Sequence, residues 1–188
     1  MRIRSWIVVL TALALIFNLL AGCVQRSPIP ATSTPSEPGA SQPSEQPSAS
    51  SGPQKGLLAP DFTGISMQGE RISLSELRGG MVLINFWAIW CGPCIREIPE
   101  LKAFYSNNKE RVTVFSVEVD GARSDVEAFL QGTPLDYPVI LDAEKGSPIS
   151  SLYQINSIPA TFIIDEQGLI VERIIGSTTE RKLEAFLK

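Results

Sequence analysis

Apolar residues fall along this chain in three textures. Trp6 to Leu20 is apolar apart from Thr11 and Asn18. Residues 24–56 hold only Val24 and Ile29 as large apolar side chains. From Leu57 onward, short apolar runs alternate with helical patterns. In this last stretch, Asp61-Phe62-Thr63 and Arg71-Ile72-Ser73-Leu74 flank the turn signal Gln68-Gly69, as an opening hairpin does. Met81 to Trp87 (MVLINFW) is almost wholly apolar and predicts a central strand buried on both faces. From Pro93 to about Asn107, Ile95, Ile98, Leu101, Phe104 and Tyr105 recur at helical spacing. Val112 to Val119 predicts a second strand. A helix is expected over Ser124 to Gln131, with Ser124 as N-cap and Glu127 completing a capping box. Val139-Ile140-Leu141 reads as a short strand and Pro148 to Tyr153 as a short helix. Thr161 to Asp165 and Leu169 to Ile175 are strands joined through Glu166-Gln167-Gly168, and a final helix runs from about Thr179 to Leu187. A βαβ unit feeding an antiparallel hairpin and a terminal helix predicts an α/β fold: a mixed central sheet flanked by helices.

The other two textures are not parts of that domain. Arg2 and Arg4 precede the Trp6–Leu20 run, and small residues follow it, so residues 1–22 read as a secretory signal peptide. The run ends in Leu20-Ala21-Gly22-Cys23, which resembles a bacterial lipobox, so Cys23 is the expected lipidation site. An uncleaved membrane anchor is the alternative, because the stretch nearly reaches the length that spans a bilayer. Either reading places the remainder outside the cytoplasm. Residues 24–56 carry seven prolines, eight serines and no aromatic residue. So little apolar surface cannot offset the entropy of ordering, and the segment is expected to be a disordered tether. The domain is then 57–188, about 130 residues and large enough for a real core.

Composition narrows the chemistry. The chain has no histidine and three cysteines. A Ser-His-Asp or Cys-His nucleophile pair is therefore absent, as is any His-ligated metal, and three thiolates cannot fill a four-cysteine zinc site. The domain carries 12 basic against 18 acidic residues, a net charge of −6. With no basic cluster, nucleic acid is not the expected partner.

Thiol chemistry remains, at Trp90-Cys91-Gly92-Pro93-Cys94. A purely structural disulfide usually closes a longer loop, since a two-residue spacer gains little loop-closure entropy. The pair lies where an apolar strand meets an amphipathic helix, so Cys91 is expected at the helix N-terminus. Unpaired backbone N–H groups and the positive end of the helix dipole favour a thiolate there. Pro93 suits the first helical turn because it has no N–H to lose. Cys94, one turn in, is expected to be more buried and placed to attack a mixed disulfide formed on Cys91.

Phe86 to Cys94 resembles the active-site strand and turn of thioredoxins. Pro99 matches their helix-kinking proline, and Ser157-Ile158-Pro159-Ala160-Thr161 is similar to the loop that carries their cis-proline. The likeness is closer to the extracytoplasmic TlpA/ResA-like branch, which opens with a pattern like Ala59-Pro60-Asp61-Phe62 and runs on to Cys-x-x-Cys-x-x-Glu-x-Pro, here Cys91 to Pro99. The resemblance covers essentially all of residues 57–188. It implies a thioredoxin-like fold and a membrane-tethered thiol–disulfide oxidoreductase. In that scheme Cys91 attacks, Cys94 resolves, Pro159 shapes the substrate groove with Gly92 and Pro93 supporting the turn, and Trp90 shields the dithiol. The cysteine pair is the whole redox centre, with no other cofactor. Oxidised exported proteins, apocytochrome c foremost, are the implied substrates, and a membrane thiol transporter is the implied electron donor.

The buried aspartate of cytosolic thioredoxins is replaced by Asn85, which cannot take a proton. Glu97, three residues after Cys94 on a helix, projects from the same side. From the residues alone, Glu97 is either a proton relay for Cys94 or an exposed first-turn glutamate favouring the helix dipole. The resemblance points to the relay. Glu100 reads as surface, and Trp87 as core packing. Glu118 and Asp120 end a strand near the same sheet edge, where an exposed strand terminus accounts for them equally well. Two rival functions remain. A peroxiredoxin-like peroxidase needs Pro-x-x-x-Thr/Ser-x-x-Cys, and Ile84 and Ala88 stand in those places before Cys91. A copper(I)-binding module could use two soft thiolates, but no histidine or methionine cluster adds ligands.

Overall fold

The computed structural model describes residues 50–146 and 148–187. The expected leader 1–22, Cys23 and the expected tether up to residue 49 lie outside the described residues. The described end of the tether, Ser50 to Gly56, is laid against the domain. The Gly56 N–H donates to the Ile170 carbonyl (2.8 Å), the Ile170 N–H donates to the Leu57 carbonyl (2.9 Å), and Lys55 pairs with Glu172 (3.0 Å). The folded part therefore begins upstream of Leu57. Backbone pairing along an open hairpin edge needs no apolar side chains, so composition gives no sign of it.

Strands β1 (Thr63–Ile65) and β2 (Arg71–Ser73) form the expected antiparallel hairpin. Gly69 turns it at φ +84°, a conformation natural to a residue without Cβ. The first strand starts later than its sequence suggests. Phe62 packs edge-on against Phe115 and Tyr153, while the Asp61 carboxylate accepts the Ser75 N–H (2.9 Å).

The main sheet comprises β3 (Met81–Trp87), β4 (Val112–Glu118), β5 (Val139–Leu141), β6 (Ala160–Ile164) and β7 (Ile170–Ile175), in the order β5-β4-β3-β6-β7. β3, β4 and β5 are parallel, β6 runs antiparallel to β3, and β7 antiparallel to β6. Helix α1 (Gly92–Asn108) links β3 to β4, and α2 (Arg123–Gly132) links β4 to β5. Helix α3 (Pro148–Leu152) precedes β6, and α4 (Glu180–Glu184) follows β7.

α2 departs from its expected cap. Ala122 is the N-cap, with no side-chain cap bond. The cap lies two residues early, so Ser124 falls inside the first turn and its hydroxyl turns to Asp125 (3.3 Å), while Glu127 pairs with Arg123 (3.7 Å). α4 is shorter than expected, and Thr179 caps it through the Lys182 N–H (3.4 Å).

β3 is buried on both faces, with Val82 to Trp87 at most 3% exposed. The two-residue period of a strand divides it. Val82, Ile84 and Phe86 join Phe115, Val117, Phe162, Ile164 and Tyr153 on one face. Phe86 and Tyr153 both meet Phe162 edge-on, at 5.7 and 4.9 Å between ring centroids. Leu83 and Trp87 face the other way, packing with Leu101 and Phe104 of α1 and with Cys91, Cys94 and Ile98. Each large apolar side chain buried in this way stabilises the fold by roughly 1.5–3 kcal/mol.

Candidate active site

Asn85 lies on the α1 face of β3, between Leu83 and Trp87, because of the same two-residue period. Register places Ser116 of β4 on one side of it and Thr161 of β6 on the other. The sheet therefore carries a polar row, Ser116-Asn85-Thr161, under the start of α1, and all three residues are buried. The Trp87 indole N–H donates to the Ser116 hydroxyl (3.2 Å), and the Asn85 amide donates to Thr161 Oγ1 (3.1 Å) and to Glu97 Oε1 (3.0 Å). Trp87 is thus packing, as expected, with its one polar atom satisfied.

Glu97 is 2% exposed, which rules out the surface-charge reading. Its second oxygen, Oε2, accepts the Thr178 N–H (3.0 Å), a partner 81 residues along the chain. Burial pushes the Glu97 carboxyl up to about 7, against the lowering effect of the Thr178 N–H and the Asn85 amide. The hydroxyl of Thr178 is buried with no hydrogen-bond partner among the described residues. Glu100 is half-buried rather than free on the surface, and accepts the Glu180 N–H (2.9 Å) at the start of α4.

Cys91 and Cys94 are joined in a disulfide. Cys91 is the N-cap of α1, and its sulfur accepts the Cys94 N–H (3.3 Å). An N-cap normally offers an oxygen to a backbone donor one turn on; here a sulfur takes that place, in the position where a thiolate gains most from the helix terminus. Burial does not separate the two cysteines in this state, at 4% and 2% exposed. Their places relative to the helix end distinguish them instead. Pro93 occupies the first turn and is exposed, as expected.

Pro159 follows a cis peptide bond after Ile158. Its carbonyl accepts the Gly176 N–H (2.8 Å), which ties the loop to the end of β7. Trp90 stands out at 65% exposed, and its indole N–H is held by the Asp120 carboxylate at 2.8 and 3.1 Å. Ile175, paired with Ala160, is 52% exposed at the same end of the sheet. Two large apolar side chains are thus exposed at the end of the sheet from which β3 leads to the dithiol.

Glu118 is 0% exposed, so the strand-terminus reading fails for it. It accepts backbone N–H groups from Ile89 and Gly121, and burial raises its carboxyl above the ordinary carboxylate range. The carboxylate-binding Thr178 N–H, Ser116 under the Trp87 indole and Thr161 as acceptor for the Asn85 amide have no signature in the local sequence, because each depends on a contact across the sheet or from a distant loop.

A sequence model of the AhpC/TSA family matches residues 56–173. The chain belongs to the AhpC/TSA family. Its relatives include the thiol-disulfide oxidoreductase ResA of Bacillus cereus, 36% identical over 136 residues that span 72% of this chain and 78% of that protein. Solved structures of similar shape include StoA of Bacillus subtilis (28% identity, TM-score 0.61, covering 70% of this chain and 99% of that one). A putative thiol:disulfide interchange protein DsbE of Chlorobium tepidum is also similar (29% identity, TM-score 0.65, covering 71% and 95%). The fold is thioredoxin-like and the enzyme class is thiol–disulfide oxidoreductase, of the ResA, StoA and DsbE type.

Proposed function

We propose that this protein is an extracytoplasmic, membrane-tethered reductant of disulfides in exported proteins, with apocytochrome c as the leading substrate. The observation that carries the reading is the Cys91 sulfur at the N-cap of α1, taking the Cys94 N–H, with the buried Glu97 one turn further along the same helix. The leader ending at Cys23 supports export and lipid anchoring. The similarity to ResA supports the substrate class.

In the reduced enzyme, the Cys91 thiolate attacks one sulfur of a substrate disulfide. A mixed disulfide forms, and the departing substrate thiolate takes a proton from solvent. Cys94 then gives its proton to Glu97 and attacks the Cys91 sulfur. This releases the second substrate thiolate and leaves the Cys91–Cys94 disulfide. Two electrons pass from enzyme to substrate, and a membrane dithiol carrier restores the reduced pair. A carboxyl held near neutrality by burial suits this transfer, since it can take and release a proton at working pH. Gly92 and Pro93 shape the turn between the cysteines, and Pro159 and Trp90 border the substrate groove. The dithiol supplies the redox chemistry without a further cofactor.

Reduction of insulin by the purified protein, with Cys91→Ser and Cys94→Ser beside it, tests the scheme. Cys91→Ser is expected to abolish turnover and Cys94→Ser to accumulate mixed disulfides. Full turnover by Cys94→Ala would overturn it. Tight copper(I) binding without insulin reduction would favour a metal carrier instead.

A further inference from the structure

Glu118 is a buried carboxylate that the exchange scheme leaves idle. It ends β4, in parallel register with Trp87 at the end of β3. Its two oxygens are divided between two loops. Oε1 accepts the Ile89 N–H (3.3 Å) in the loop that leads to Cys91, and Oε2 accepts the Gly121 N–H in the loop between β4 and α2. The Val119 N–H donates back to the Trp87 carbonyl (3.0 Å), so the two loops are stitched in both directions. No ion pair to Glu118 occurs among the described residues.

The fit allows little else. A Cβ at Gly121 would lie 2.8 Å from each carboxylate oxygen and 2.7 Å from Val126 Cγ2, so any side chain there displaces the carboxylate or Val126. Both oxygens face N–H donors, and an amide offers only one acceptor. Glu118→Gln therefore points an N–H at one of the two backbone donors and frees one loop. The Cys91 sulfur does not lean on this clamp: its hydrogen bond comes from the Cys94 N–H (3.3 Å) within α1. Trp90 does depend on it, because its indole rests on Asp120, two residues past Glu118 on the clamped loop.

We propose that Glu118 is a positioning residue. It clamps the Ala88–Trp90 loop to the β4–α2 loop, so that Trp90 meets an incoming polypeptide disulfide in a fixed place beside Cys91. The inference deepens the proposed function and rests on its polypeptide substrate. Kinetics of the full chain with insulin and with glutathione disulfide test it. Glu118→Gln and Gly121→Ala are each expected to raise KM for insulin about five- to tenfold with kcat unchanged, while the rate with glutathione disulfide falls less than twofold. An equal loss on both substrates, or no change on either, would overturn the proposal. Amide exchange in the wild-type protein gives a second measurement that needs no variant. The Ile89 and Gly121 amides, outside any helix or strand, should be protected as strongly as those of β3, and exchange at open-loop rates would overturn the clamp. A wild-type protein that reduces glutathione disulfide but not insulin would remove the polypeptide-substrate reading, while amide exchange still decides the clamp.

Discussion

The two faces of β3 are built from adjacent residues and do different work. On one, Val82, Ile84 and Phe86 enter an aromatic cluster with Tyr153 and Phe162, and the Arg173 guanidinium lies over the Phe162 ring, 5.4 Å from its centroid. On the other, Leu83 and Trp87 bracket Asn85, and the polar row Ser116-Asn85-Thr161 supports a buried carboxylate beneath the helix that carries the dithiol. Apolar burial costs nothing in polar desolvation, so the first face contributes stability at any pH. The second face holds a group whose charge is penalised by burial, so it trades stability for a proton site near neutrality. The alternation of one strand thus separates holding the fold together from moving the proton.

Substitutions on each face should break this division in different ways. Phe86→Ala removes a fully buried ring from the aromatic face and is expected to cost about 3–5 kcal/mol in urea unfolding. Its Cys91–Cys94 reduction potential should stay that of the wild type, and a shifted potential would show that the faces are not separable. Glu97→Gln should act with the opposite sign. The folded pKa of about 7 lies above the ordinary 4.5, so the native state binds the proton more tightly than the unfolded chain. The folded protein therefore loses stability as pH rises from about 4.5 to 7, by up to about 3 kcal/mol. The amide escapes this loss, and Asn85 can turn its own carbonyl toward it. The variant should thus be more stable than wild type at pH 8, by roughly 1–3 kcal/mol, and nearly equal at pH 4.5. Unfolding midpoints at both pH values check this, and a difference independent of pH would return Glu97 to a plain packing role. Thr161→Val leaves the Asn85 amide one acceptor short and should cost about 1 kcal/mol. The smallest expected effect is at the surface. Arg71→Ala breaks an exposed pair with Glu76 and should change the unfolding midpoint by an amount worth at most about 0.5 kcal/mol.

Much of this arrangement is written locally and some of it is not. The run Met81–Trp87 reads as a buried strand, and Cys91-Gly92-Pro93-Cys94 at its end as the start of a helix, because both follow from near-neighbour patterns. The state of Glu97 does not, since its burial depends on Asn85 across the helix–sheet interface and on Thr178 from a loop 81 residues away. From sequence, Glu118 reads equally as a residue near the site or as an exposed strand end. What covers it is the fold of Gly121 and Val126 back over β4, which no period-two pattern encodes. Ser124 and Glu127 match a capping box by spacing, yet the helix is capped two residues earlier, at Ala122, where the turn at Asp120-Gly121 is set by contacts with Glu118 and Trp90. At Ser50–Gly56, composition pointed to disorder while backbone hydrogen bonds to the hairpin edge fixed the path.

The reduction potential of the Cys91–Cys94 pair, measured by equilibration with a thiol of known potential, tests the central claim most directly. A reductant of exported disulfides should show a value at or below roughly −230 mV, on the reducing side of the glutaredoxin range. A value near about −120 mV, that of a strong oxidant, would contradict the account and reverse the direction of electron flow.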